Sequence, residues 1–212
     1  MIEDRVGQEL LSIFGQSIAQ GKRYRDIIIR EYPAFCSYTG KYLQPHILHA
    51  CTDFAITQYM PKTSNVKITE ACNTRNYSFL QIEAEHFYLT TSYVEQCLRV
   101  PRNAHFRRDR AISNPYLFNE FEEQRYKGKP YLILVHGFIE EKKDDEIFYQ
   151  NLFGGIGMPC GDMPTRWNDF YFLTDYIDLA TDIPEEIIDE LAPGFLKIKK
   201  NFIGNVDNND SA

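Results

Sequence analysis

The sequence has no C-x-x-C pair, no apolar run near the roughly twenty residues that cross a bilayer, no G-x-S-x-G nucleophile elbow and no glycine loop ending in Lys-Ser/Thr. These absences argue in turn against a cysteine-ligated metal ribbon, a membrane-spanning helix, a hydrolase of the elbow type and a phosphate-cradling loop. The five cysteines, Cys36, Cys51, Cys72, Cys97 and Cys160, are odd in number in a chain too large to need disulfide staples. Reduced thiols in a cytoplasm are the expectation. No charged-then-apolar leader stands at the N-terminus, and no internal repeat, linker or low-complexity block is visible. With no cofactor motif complete, no cofactor is expected. A soluble, cytoplasmic protein away from membranes is the reading.

Basic charge is also in short supply. There are 23 Lys and Arg against 30 Asp and Glu, a net −7 over 212 residues. A chain so acidic does not coat nucleic acid through a broad basic surface, so any anion binding must be focal. The focus is plain. Residues 99–110, Arg-Val-Pro-Arg-Asn-Ala-His-Phe-Arg-Arg-Asp-Arg, hold five arginines, one histidine and one aspartate; this +4 segment leaves −11 on the rest.

Ile2, Val6, Leu10, Ile13, Phe14 and Ile18 recur at spacings of three and four, which predicts an amphipathic helix over 2–20 closed by Gly21. Residues 23–31 read as a second helix or a buried strand that Pro33 ends, and an ordered loop follows to Gln44. Pro45 suits a first helical turn, and Ile47, Cys51, Phe54, Ala55 and Tyr59 make a helical stripe that Pro61 stops. Residues 65–72, 77–84 and 87–94 show the partial alternation of an antiparallel meander. Asn103 can cap a short helix running to Asn114, which precedes Pro115. Residues 116–123 and 130–138 read as a hairpin around Tyr126-Lys-Gly-Lys129, with Tyr-Leu-Ile-Leu-Val as a central strand. Residues 140–146 read as a charged loop, 154–164 as an irregular connection and 170–179 as a strand. A helix should start at Asp182-Ile-Pro and stop at Pro193-Gly194, with 195–203 closing the sheet. The fold class expected is α+β, N-terminal helices packed on a mainly antiparallel sheet with a C-terminal helix. It forms one domain over 1–204, helical over 1–60 and sheet-rich over 64–204, with a disordered tail at 205–212.

On a helix, Asn103, Arg107, Arg110 and Asn114 fall within about 60° of one another, a narrow face of guanidinium forks and amides suited to phosphate. Arg108 and His105 project elsewhere. The structural alternative pairs these arginines with neighbouring carboxylates. The spacing from Arg99 to His105 resembles the Arg-x4-6-His signature of HEPN ribonucleases, which implies metal-independent RNA cleavage by Arg and His. That family carries its motif on helices of an all-helical fold, whereas Pro101 interrupts this stretch and strands are expected to flank it.

His46, His49 and Asp53 share one helical face within about 60°, opposite the apolar stripe, and could begin a metal site; a polar helix face is the plainer account. Val135-His136-Gly137-Phe138 resembles the oxyanion turn of α/β-hydrolases, but without the nucleophile it reads as a strand end turning on glycine. Glu140-Glu-Lys142 and Glu141-Lys-Lys143 match the Glu-x-Lys part of PD-(D/E)xK nucleases only as text. Trp167 with Phe170, Tyr171 and Phe172 reads as core, or as a base-stacking or partner-facing surface if the rings are exposed.

Two functions are carried forward. The first is an interaction or regulatory module that binds an acidic protein, RNA or nucleotide phosphate through Asn103, Arg107, Arg110 and Asn114. The alternative is a metal-independent ribonuclease, a toxin-like effector, with His105 as general acid or base and Arg107 or Arg110 stabilising the pentavalent phosphate.

Overall fold

The two apolar periods of the sequence sort the chain into helices and strands that share one sheet. The structure, a computed structural model, describes residues 2–60, 65–72, 78–102, 104–115, 129–143 and 146–181. The chain divides into residues 1–180 and 181–212, and beyond Thr181 the second unit lies outside the described residues. The expected helix from Asp182, the strand at 195–203 and the tail therefore fall outside it, as do the proposed strand at 116–123 and its turn.

Helix α1 (Ile2–Val6) breaks at Gly7, whose φ of 79° suits glycine, and α2 (Gln8–Glu31) follows. The predicted stop at Gly21 is overturned. Gly21 sits mid-helix against Thr52, where a β-carbon would collide, so this glycine lets two helices approach rather than ending one. Residues 23–31 thus resolve as helix, and the chain leaves it before Pro33. A 3₁₀ turn (Pro33–Cys36) and α3 (Tyr38–Lys41), capped by the Ser37 hydroxyl accepting from Gly40 N, lead to α4 (Gln44–Tyr59). Proline in its first turn starts α4 as expected.

Strands β1 (Lys67–Cys72), β2 (Ser78–Glu83) and β3 (Tyr88–Tyr93) form the antiparallel part that alternation predicted. After α5 (His105–Ala111), strand β4 (Tyr131–Lys143) pairs parallel to β3, so the meander ends in a crossover. On its other side β4 pairs antiparallel with β5 (Glu146–Pro159), which pairs with β6 (Trp167–Phe172). The order is β1-β2-β3-β4-β5-β6, a mixed and mostly antiparallel sheet. Helix α6 (Thr174–Thr181) closes the described chain. The α+β expectation of N-terminal helices on a mainly antiparallel sheet with a C-terminal helix is what the fold is.

Four local expectations fail for related reasons. Residues 140–143 extend β4 and 146–153 begin β5, so the charged stretch belongs to a long hairpin. The glycine-bearing run from Gly154 continues β5 to Pro159, because Gly155 and Gly157 leave room for aromatic rings from β6. The 170–179 stretch ends as strand at Phe172 and turns into α6. Both edges of β4 are taken by β3 and β5 over the paired residues, so its hairpin partner is β5 rather than 116–123.

The sheet has two different faces. Leu80, Ile82, Leu89, Leu132, Leu134, Ile156 and Met158 meet Phe14 and Ile18 of α2, Ile56 of α4 and Ile177 of α6 in the larger core. Each fully buried Leu or Ile there contributes about 2 kcal/mol. The opposite face buries Tyr131, Ile133, Val135 and Phe153 with Ala111 of α5, and Trp167 and Phe170 pack against this smaller core. Among the described residues no helix is long and apolar enough to cross a membrane, and Cys36, Cys51, Cys97 and Cys160 are free thiols.

Candidate functional site: the arginine segment and the buried histidine pair

The arginines of residues 99–110 divide by direction. Arg107 donates from Nη1 to the Arg102 carbonyl oxygen at 2.9 Å and from Nη2 to Ser92 Oγ at 3.1 Å. Arg110 donates to Gln81 Oε1 at 2.6 Å, and its guanidinium lies 5.4 Å from the Tyr88 ring centroid. Phe106 stacks on Phe79 with centroids 4.3 Å apart. These contacts fasten α5 to β2 and β3, and Ala111 goes fully into the smaller core. The side of α5 read as an anion face is thus the side turned to the sheet.

Asn114 is taken up still more completely. Buried, it donates from Nδ2 to the carbonyl oxygens of Tyr131 and Pro159, both at 2.8 Å, and accepts from Tyr131 N at 2.7 Å. It satisfies backbone groups where the β5 register shifts between Met158 and Pro159. Asn103 lies outside the described residues. Of the predicted quartet the structure brings Arg107 and Arg110 to one helix face, aimed inward, and gives Asn114 a separate task.

The solvent side carries the other basic groups. Arg99, Arg102, Arg108 and His105 are exposed. Arg99 pairs with exposed Glu95 at 3.2 Å, a contact worth little in water. Arg108 Nη2 donates to Nδ1 of His105 at 2.7 Å, so its partner is an imidazole rather than a carboxylate. His105 thereby meets Arg108 and not Arg107 or Arg110. The all-helical fold implied by the HEPN resemblance is replaced by a helix-covered sheet.

His46, His49 and Asp53 do not converge. His46 is exposed, while His49 and Asp53 turn toward the sheet. Nδ1 of His49 lies 3.2 Å from Nε2 of His136, and Asp53 Oδ2 lies 3.9 Å from the opposite nitrogen, Nε2. The two neighbours meet different edges of one ring, so they share no point at which to hold an ion. Among the described residues no group of three His, Cys, Asp or Glu side chains is disposed to hold a metal.

What forms instead is a polar row, Asp53, His49, His136, fully buried at His136 and partly buried at the other two. Burial pushes the His136 imidazole well below its usual range, and the neighbouring His49 lowers it further. His49 is lowered by burial, raised back by Asp53 and lowered again by Arg107 and His46. Burial raises Asp53, against the lowering influence of His49 and of the Thr91 hydroxyl, with Glu70 raising it. Thr91 acts on Asp53 at a geometry short of a full hydrogen bond, since its Oγ1, Asp53 Oδ1 and His136 Nδ1 are all buried and have no hydrogen-bond partner among the described residues. The row reached through His136 was legible in part. Leu132, Leu134 and His136 alternate, which places the histidine on the face that covers the helices.

The other missed feature is the placement of the aromatic cluster. Trp167 and Phe170 have ring centroids 5.5 Å apart, Phe170 and Phe172 5.0 Å apart. Tyr171 points through the sheet to the larger core, as strand alternation requires. The Trp167 indole N–H donates to the Leu98 carbonyl oxygen at 2.9 Å, which ties the ring row to the residue preceding Arg99. Comparison with protein-family models, with curated proteins and with solved structures finds no match.

Proposed function

We propose that the protein is a binding module that engages an anionic partner through the solvent side of the arginine segment. The observation that carries this reading is the division of the arginines. Arg107 and Arg110 have packing roles, whereas Arg102 and Arg108 stand exposed beside His105, and Arg108 faces an imidazole. An anion would add negative charge beside Arg108, whose hydrogen-bond partner is an imidazole, and guanidinium forks suit phosphate or carboxylate oxygens. Anion contact therefore moves from the Arg107, Arg110 face to Arg99, Arg102 and Arg108.

The ribonuclease reading has less support. It assigns phosphate stabilisation to Arg107 or Arg110, whose guanidinium groups are directed at Ser92 and Gln81. Labelled RNA incubated with the protein and with His105→Ala would still support it if cleavage were seen and the variant lost it.

The binding reading is tested by salt elution from immobilised heparin. Wild-type protein is expected to be retained at low salt, and Arg102→Glu, Arg108→Glu to elute earlier. Failure of the wild type to bind, or equal elution of both proteins, would overturn the reading.

A further inference from the structure

The chain between β3 and α5, which carries the arginine segment, crosses the sheet instead of staying at one edge. It leaves β3 at Val94, whose N–H bonds the His136 carbonyl at 3.0 Å, and reaches β6 at Leu98, where the Trp167 N–H bonds the carbonyl oxygen. It then returns to α5, which is fixed over β2 and β3 through Phe106, Arg107 and Arg110. Exposed Arg99 and Arg102 therefore lie on the return path beginning beside Trp167, and exposed Arg166 precedes Trp167 in the chain.

The row Trp167, Phe170, Phe172 meets this path at Leu98, the residue before Arg99. Phe172, on the last described strand of the sheet, is 52% exposed, and Leu98 beside Trp167 is 60% exposed. Gly155 and Gly157 provide the floor. A β-carbon at Gly155 would strike the Phe170 ring and one at Gly157 the Trp167 ring, so both rings rest against bare β5 backbone. The row ends in a half-exposed phenylalanine, while the same strand turns Tyr171 to pack against the larger core.

We infer that this face binds single-stranded nucleic acid, with bases stacked on Trp167, Phe170 and Phe172 and phosphates along Arg99, Arg102 and Arg166. The inference rests on the anion-binding reading of the arginine segment and names its partner. A polymer with one planar face and one phosphate per unit matches a ring row joined through Leu98 to an arginine-bearing segment. An acidic polypeptide matches the arginines but leaves the rings unused. A duplex matches the charge but keeps its bases stacked on one another. The acidic remainder of the chain confines the footprint to a few nucleotides and makes binding strongly salt-dependent.

The test is fluorescence anisotropy of a labelled short uridine oligomer, with a DNA oligomer of matching length, inorganic polyphosphate and poly-glutamate as competitors. Both oligomers are expected to bind, with polyphosphate and poly-glutamate about tenfold weaker at equal charge. Phe172→Ala should weaken oligomer binding about tenfold while leaving polyphosphate binding unchanged, and Phe172→Tyr should restore it. Poly-glutamate competing as well as RNA would overturn the inference in favour of an acidic protein partner. Polyphosphate competing equally, with Phe172→Ala binding RNA like the wild type, would overturn it while leaving the anion site intact. If no polyanion binds, the anion-binding reading fails with it.

Discussion

The indole nitrogen of Trp167 donates a hydrogen bond to the carbonyl oxygen of Leu98, 2.9 Å away across 69 residues of sequence. The only tryptophan of the chain is thereby joined to its only arginine-rich stretch. Nothing in either sequence segment predicts the other. The indole and the stretch leading into the arginines become neighbours because Cys97 and Trp167 pack on the same small core.

Asn114 is expected to behave as a structural residue. Asn114→Ala would leave Tyr131 N and the carbonyl oxygens of Tyr131 and Pro159 without the partner that now serves all three. Stability should fall by about 2 to 4 kcal/mol in urea unfolding, because buried backbone groups lose their hydrogen bonds together. A change within about 0.5 kcal/mol, the range of an ordinary surface substitution, would contradict this role.

The two classes of arginine should separate in the same assay. Arg107→Ala removes donors to Arg102 O and Ser92 Oγ and should cost about 1 to 3 kcal/mol. Arg102→Ala should change stability by less than about 0.5 kcal/mol while weakening heparin retention. Equal losses of stability in the two variants would contradict the division of the segment into an inner and an outer side.

Acid should weaken the fold through the histidine pair. His49 and His136 are lowered in the folded state, so the unfolded chain takes up protons first. Their contribution is complete above the unfolded value of about 6.5 and is lost as pH falls below it toward the folded values. Asp53 is raised and acts in the opposite sense; its contribution is present at low pH and is lost as pH rises through the folded value. The row is faced by His46 on its own helix, Glu70 on β1, and Thr91 and the Tyr93 ring on β3, while the Arg107 charge acts from the far side of the sheet. The urea midpoint should drop between pH 7 and pH 5, and His136→Gln should flatten that drop. An equally steep drop in the variant would remove the pair as its cause.

Periodicity made most of the architecture legible. The stripe at Ile47, Cys51 and Ala55 placed α4, and alternation placed β1, β2 and β3 within a residue or two. It failed where one residue type serves two purposes. Gly21 reads locally as a helix stop, but its reason for being glycine is Thr52 on another helix. Gly155 and Gly157 read as loop, but they make room for Phe170 and Trp167 on the neighbouring strand. The candidate site was legible in composition and not in direction. A helical wheel groups Arg107 with Arg110 and cannot say whether that group faces sheet or solvent, which Ser92 and Gln81 decide. His49 and Asp53 were legible as one face of α4, and alternation on β4 gave the face of His136 but not that it would meet His49.

The emission of Trp167 tests the nucleic-acid reading most directly, since the chain has no other tryptophan. Titration with a short uridine oligomer at low salt is expected to quench that emission to saturation, as a base stacks on the indole. Added salt should restore it, because the phosphate contacts release counterions. Oligomer binding seen by anisotropy with Trp167 emission unchanged would contradict the account.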